Sequence, residues 1–321
     1  MGRSVDRQLL IFSGRSNPQF TSSVCEKMSV ELGRCEVIKF SDGELSVDIG
    51  DNVRGRDVFV VQSTSSPGND HLMELLILID ALKRASAWRI TAVMPYFGYA
   101  RQDRKVKPRV PITAKLVADM LTAAGANRVL TMDLHAGQIM GFFNIPVDNL
   151  MALPVFLPYL REKYGKEKLT IVSPDMGGVE RARQYATRLG NVDIAIIDKR
   201  RVRANEVAEM KVVGTVKGRT CILVDDIVDT GGTLMKAANT LLEKGAVKVI
   251  AACVHPVLSG NAVERLAASN LEEIVVCDSI KQPLAANTPK FKILSVAPIF
   301  ADAIQRIHHE DSISKLFSES K

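Results

Sequence analysis

The sequence predicts an α/β protein built from two similar domains, each a mainly parallel sheet flanked by helices. Three observations predict it. Short β-branched runs alternate with helix-patterned stretches along the chain, the signature of βαβ units. Several of these runs are apolar without interruption, as strands covered on both faces must be. One strand–loop–helix–strand order also occurs twice. It reads VVQSTSSPGNDHLMELL followed by ITAVMPYFGYA, then LVDDIVDTGGTLMKAANTLL followed by VIAACVHPVLSGNA.

In the first half, strands are predicted at 9–13, 36–40, 58–62, 90–95 and 129–133. In the second half they fall at 169–173, 192–197, 221–224, 247–254 and 274–277. Asn69 or Asp70 is expected to cap a helix whose apolar face is Leu72, Leu75, Leu76 and Ile79. A helix over 114–124 places Leu116, Val117, Met120 and Leu121 on one face and stops at Gly125. Helices over 175–189 and 233–244 stop in the same way at Gly190 and Gly245. The boundary falls near residue 150, giving domains 1–150 and 151–303, with 304–321 expected to pack back on the first.

A chain of 321 residues suits two domains of about 150 residues each. Aromatics make up only 5%, so the cores must rest on aliphatic side chains. The net charge of +6 favours anionic partners. Nucleic acid is the weaker choice, because the basic residues are mixed with acids and lack interleaved aromatics. Cys25, Cys35, Cys221, Cys253 and Cys277 are odd in number and show no CxxC spacing, which reads as small buried thiols and not a disulfide framework or metal site. The N-terminal apolar core is too short for a signal peptide, and no window reaches the ~18 apolar residues of a membrane span. A cytoplasmic protein with no membrane partner is expected.

The strongest chemical signal is VDDIVDTGGT at 224–233. An apolar strand ends in Asp225 and Asp226, and a short loop of Asp229, Thr230, Gly231, Gly232 and Thr233 leads into a helix. Backbone N–H groups at a helix N-terminus point outward with partial positive charge, so the loop is shaped for a phosphate. The glycines permit close approach and the threonines supply hydroxyls. Carboxylates beside a phosphate need another partner; ribose hydroxyls, directly or through Mg²⁺, are the natural ones.

This pattern is similar to the phosphoribosyl-diphosphate loop of type I phosphoribosyltransferases, which fixes a ligand class but not a reaction. The rest of the chain resembles the PRPP synthetase (ribose-phosphate diphosphokinase) family, class I and bacterial-type, almost end to end. PYFGYARQDR at 95–104 and the following KVKPRVPITAKLVADML look like that family's ATP segment and mobile loop. FSDGELSVDI (40–49), TMDLHAGQIMGFF (131–143), SPDMGGVERAR (173–183) and DKRRVRANEV (198–207) resemble further signatures. The resemblance implies two duplicated phosphoribosyltransferase type I-like domains. It implies transfer of the β,γ-diphosphate of ATP to C1 of ribose 5-phosphate, with release of AMP, in nucleotide biosynthesis.

Residue by residue, the resemblance assigns ATP to Phe40, Asp42, Gly43, Glu44, Arg101 and Gln102. The absence of GxxxxGK[ST] and GxGxxG agrees with a nucleotide held by side chains. It assigns catalysis to Lys199 and Arg201, ribose 5-phosphate to Arg201 and the 225–233 residues named above, and Mg²⁺ to His135 and Asp175. Spread negative charge in diphosphoryl transfer is a physical reason for placing cations there. The basic run 101–109 reads as a closing lid over triphosphate, with loop 103–110 compact around Lys107, Pro108 and Arg109. The family's phosphate-activated hexamers further imply a homohexamer, inorganic phosphate as activator, and regulatory residues at Arg54, Ser86, Ser312 and Ser314.

Two rival readings are weighed. A phosphoribosyltransferase would use VDDIVDTGGT but leave the ATP segments without a purpose. A non-catalytic associated subunit should show damaged catalytic segments, and here Lys199, Arg201, His135 and the DTGGT loop are intact.

Overall fold

The computed structural model describes residues 7–200, 209–314 and 316. The chain divides into two compact units. The first takes in Met1–Met151, Ser279–Lys281 and Val296–Ser318, and the second Ala152–Asp278, Gln282–Ser295 and Glu319–Lys321.

The first unit contains, in order, β1 (Leu9–Ser13), α1 (Pro18–Met28), β2 (Cys35–Lys39), β3 (Leu45–Ile49), β4 (Asp57–Val61), α2 (Gly68–Arg84), β5 (Arg89–Met94), α3 (Thr113–Ala124), β6 (Arg128–Met132), a 3₁₀ turn (Gly137–Phe142) and β7 (Val147–Leu150). Its main sheet runs β1-β4-β5-β6-β7, parallel throughout. All five residues of β4 are buried, as a strand covered on both faces requires. Alternation sends Val58 and Val60 into one core with Leu75, Leu78 and Leu82 of α2 and Val117 and Leu121 of α3. Each such side chain contributes about 1.5–3 kcal/mol by leaving water.

The second unit contains α4 (Leu153–Tyr164), β8 (Leu169–Ser173), α5 (Val179–Arg188), β9 (Asp193–Arg200), β10 (Glu209–Val213), β11 (Thr220–Val228), α6 (Gly232–Glu243), β12 (Lys248–Pro256), α7 (Ala262–Ala267), β13 (Glu273–Cys277), α8 (Pro283–Ala286) and β14 (Phe291–Leu294). The chain then returns to the first unit as α9 (Ala297–His308), which packs on α1 through Phe300 and Phe20, their rings 5.5 Å apart and edge-on. The second sheet runs β10-β9-β8-β11-β12-β13-β14, with β10 antiparallel. Its stretch β8-β11-β12-β13-β14 repeats the first unit's β1-β4-β5-β6-β7, each central strand carrying the same loop-and-helix successor. The predicted duplication is therefore present in the topology.

Four expectations are corrected. The strand expected at 36–40 is not a member of the parallel sheet; Cys35–Lys39 pairs antiparallel with Leu45–Ile49 in a separate ribbon. Asn69 and Asp70 do not cap α2, which starts at Gly68 with no side-chain cap, and both lie in its first turn. The helix expected from 175 begins only at Val179, because Asp175 Oδ1 accepts the N–H groups of Gly177 (3.0 Å) and Gly178 (3.2 Å) and holds that stretch as a turn. The strand expected at 221–224 runs on to Val228, so both aspartates of the VDD motif lie within it.

Candidate active site

In the second unit the VDDIVDTGGT segment takes the form its composition suggests. Strand β11 carries Asp225 and Asp226 near its C-terminal end, where open α/β sheets hold ligands. Gly231 then turns the chain at φ 73° and α6 begins at Gly232. A Cβ on Gly231 would stand 2.8 Å from Leu266 Cγ on α7, so both the positive φ and the space demand glycine. Thr230 and Thr233 are exposed, leaving their hydroxyls available beside the first N–H groups of α6.

Asp225 keeps 27% of its side chain exposed and Asp226 only 6%. Asp225 Oδ1 accepts the N–H of Asp226 at 2.9 Å. Burial and then the neighbouring Asp226 charge push the Asp225 carboxyl up to about 8, and the Arg181 guanidinium opposes them. Arg181 Nη1, from the first turn of α5, lies 3.3 Å from Asp226 Oδ1 and 3.6 Å from Asp225 Oδ1. Arg265 on α7 approaches the same loop from its other side, its Nη1 3.5 Å from the Thr230 carbonyl oxygen. Sequence reasoning singled out neither arginine. Arg265 follows the loop by more than thirty residues, and only the β12–α7 crossover brings it back.

In the first unit the predicted ATP residues gather at the C-terminal end of the sheet. Phe40, 51% exposed, and Asp42, Gly43 and Glu44 form the turn joining β2 to β3. Asp42 Oδ1 accepts the Glu44 N–H at 3.0 Å and Gly43 sits at φ 97°. The first turn of α2 ties this ribbon to the segment after β5. Lys39 Nζ pairs with Asp70 Oδ2 at 2.5 Å, and the Tyr99 hydroxyl bonds Asn69 Oδ1. Gly98 donates its N–H to Thr64 Oγ1 at 2.7 Å, in an approach so close that a Cβ would stand 2.4 Å from the Thr64 carbonyl oxygen. This fixes the chain that exposes Arg101 and Gln102. Thr113 Oγ1 donates to Gln102 Oε1 at 2.5 Å, and Gln138 Nε2 donates to Asp103 Oδ2 at 2.9 Å, anchoring both ends of the basic loop.

His135 is exposed just past the C-terminal end of β6, where Leu134 N–H is held by Asn149 Oδ1 at 3.1 Å. Asp175, in the second unit, is exposed in the turn after β8. Among the described residues no three His, Cys, Asp or Glu side chains cluster as a ready-made metal cage. An exposed carboxylate such as Asp175 suits Mg²⁺, which prefers oxygen ligands, keeps waters and substrate oxygens, and takes few protein ligands. Lys199 lies in β9, and Arg201 lies outside the described residues.

The four expected regulatory residues lie elsewhere in the first unit. Gly55, next to Arg54, donates its N–H to the Ser86 carbonyl oxygen at 2.9 Å, and Ser312 Oγ meets Ser314 Oγ at 2.6 Å. Arg54 and Ser86 precede the first residues of β4 and β5, at the end of the sheet opposite the ATP residues. Ser314 lines a cavity of about 510 Å³ there with Arg89, Arg128 and Asp148.

Residues 9–125 match the family model described as the N-terminal domain of ribose phosphate pyrophosphokinase, and residues 200–318 match the phosphoribosyl synthetase-associated domain. The chain is 55% identical over 314 residues to a ribose-phosphate pyrophosphokinase of Marinomonas sp. (strain MWYL1), covering 97% of this chain and 99% of that one. It is 57% identical over 307 residues to the protein of the same description in Campylobacter jejuni, covering 96% and 98%. Among solved structures, phosphoribosylpyrophosphate synthetase from Mycobacterium smegmatis superposes with a TM-score of 0.90 at 43% identity, covering 95% of this chain and all of that one.

Proposed function

The chain belongs to the ribose-phosphate pyrophosphokinase family, and on that premise we propose how its residues divide the family's reaction. It transfers the β,γ-diphosphate of ATP to the C1 hydroxyl of D-ribose 5-phosphate, forming 5-phosphoribosyl 1-diphosphate and AMP. The observation that carries the division is the end of β11 with the loop after it: two strand carboxylates for sugar hydroxyls, then a Gly231 turn and a helix N-terminus for a phosphate.

The second unit is the sugar domain. N–H groups at the start of α6 and the hydroxyls of Thr230 and Thr233 hold the 5-phosphate, while Asp225 and Asp226 accept from ring hydroxyls and Asp229 closes the loop. The first unit is the nucleotide domain. Phe40 stacks on the base, Asp42, Gly43 and Glu44 bond its edge or the ribose, and Arg101 and Gln102 reach the phosphates and purine. The C1 hydroxyl attacks the β-phosphorus in line, and AMP leaves with the electron pair of the broken α,β-bridge. Lys199 and Arg201 neutralise charge that spreads over the moving diphosphate.

His135 and Asp175 would hold Mg²⁺, which supplies further neutralisation of the β- and γ-oxygens when bound. The assembly is a cytoplasmic homohexamer activated by inorganic phosphate, with Arg54, Ser86, Ser312 and Ser314 at the regulatory site; the family's character supports this. No helix among the described residues is long and apolar enough to cross a membrane.

The test is incubation with Mg–ATP, ribose 5-phosphate and inorganic phosphate, following nucleotides by chromatography with and without the sugar. Sugar-dependent AMP matched by 5-phosphoribosyl 1-diphosphate is expected. No turnover in a folded protein that binds both substrates would favour a non-catalytic subunit.

A further inference from the structure

Three groups converge beside the sugar loop that the reaction as described does not fully use: Arg181, Asp225 and Asp226. A single guanidinium nitrogen, Arg181 Nη1, stands 3.3 Å from one oxygen of Asp226 and 3.6 Å from one oxygen of Asp225. The arginine side chain is 18% exposed. Its helix is fixed from behind: Ala182, Tyr185 and Ala186 are buried, and the Tyr185 ring packs edge-on against Phe156 at 6.1 Å. The cation is thus set by the scaffold and not by a mobile loop.

Asp225 and Asp226 are adjacent in β11, and Asp225 Oδ1 already accepts the Asp226 N–H at 2.9 Å, but neither contact fixes how the two carboxyl groups face the ligand. A cation between them gives both side chains one preferred orientation. We propose that Arg181 is a positioning residue for the sugar, clamping Asp225 and Asp226 in the orientation in which their outward lone pairs accept hydrogen bonds from ribose hydroxyls. This rests on the assignment of Asp225 and Asp226 to the sugar made above. Arg181 does not serve the diphosphate, because its guanidinium is already paired with the Asp225–Asp226 unit. Its effect therefore belongs to sugar binding and not to turnover.

The test compares R181Q, R181K, D225N, D226N and the double variant R181Q/D226N in the full-length protein. It reads KM for each substrate, kcat, and the thermal melt. R181Q should raise KM for ribose 5-phosphate roughly ten- to hundredfold, with kcat and KM for ATP within about threefold of the parent. R181K should recover part of the loss. The double variant should lose less than the product of the single losses, since the two residues act as one unit.

An unchanged sugar KM in R181Q, or a loss confined to kcat or to ATP, overturns the proposal. If D225N and D226N leave the sugar KM unchanged, the sugar assignment itself is wrong. A raised sugar KM in R181Q alone would then show that Arg181 meets the sugar by another route, which also overturns the clamp. Should R181Q fail to fold, R181K carries the test. A normal melt with a raised sugar KM supports the clamp, and a normal melt with an unchanged KM refutes it.

Discussion

Gly231 lies so close to Leu266 that a Cβ on the glycine would meet Leu266 Cγ at 2.8 Å. The turn into α6 is thus pressed against α7, and its φ of 73° is one that L side chains adopt at a cost of about 1–2 kcal/mol. Gly231→Ala should displace the phosphate loop. We expect KM for ribose 5-phosphate to rise by about tenfold or more, with KM for ATP little changed. A sugar KM equal to the parent's would separate this turn from substrate binding.

The nucleotide segment has its own close approach. Gly98 lies against the backbone of Thr64, and the obstacle to a Cβ there is a carbonyl oxygen 2.4 Å away, which cannot rotate aside. Gly98→Ala should shift the chain carrying Arg101 and Gln102 and cost roughly 1–3 kcal/mol in overpacking. The expected readout is the converse of Gly231→Ala: weaker ATP binding by calorimetry, with ribose 5-phosphate binding retained.

Asp225 gives a pH signature. Its carboxyl is raised to about 8 by burial and by Asp226, against about 3.9 in the unfolded chain. A group raised on folding contributes stability that is full below its unfolded value and is lost as pH climbs through its folded one. The ligand-free protein should therefore lose this contribution between about pH 4 and pH 8. Asp225→Asn removes the dependence. Relative to the parent, it should melt higher at pH 8.5 than at pH 5, while binding the sugar more weakly. Equal melting differences at the two pH values would contradict this.

In the first unit a buried carboxylate holds the returning helix. Asp57 has no exposed surface; Arg89 grips it through Nε (2.8 Å) and Nη2 (2.6 Å), and His308 Nδ1 meets Oδ2 at 2.8 Å. Arg89 Nη2 also donates to the Ile307 carbonyl oxygen at 2.8 Å. Asp57→Ala leaves a buried guanidinium uncompensated and should cost about 3–5 kcal/mol. Denaturant unfolding should show a markedly lower midpoint, and an unmoved midpoint would mean that α9 is held by its buried apolar face and not by Asp57.

Much of this architecture is legible in the sequence for one reason: strands covered on both faces read as unbroken apolar runs, and duplication repeats the reading. A strand at 36–40 is legible but its partner is not, because this segment has a strand's composition whichever partner it takes, and pairing is decided by the tight Phe40–Glu44 turn. Short β7 and β14 carry too few residues for a period to show, and α4 is disguised by Pro158 inside it. The phosphate loop was legible because its groups are contiguous in the chain. Arg181, Arg265 and the Gly98–Thr64 contact were not, since each depends on segments that only the finished fold brings together.

In the proposed reaction a diphosphate moves as one unit. ATP labelled at the β-phosphorus, incubated with ribose 5-phosphate and Mg²⁺, reports this transfer when the label is followed into products. The β-label should leave the nucleotide entirely, appearing on 5-phosphoribosyl 1-diphosphate in step with unlabelled AMP. Label retained in ADP, with only the γ-phosphoryl group on the sugar, would mean single-phosphoryl transfer and rule out diphosphate transfer.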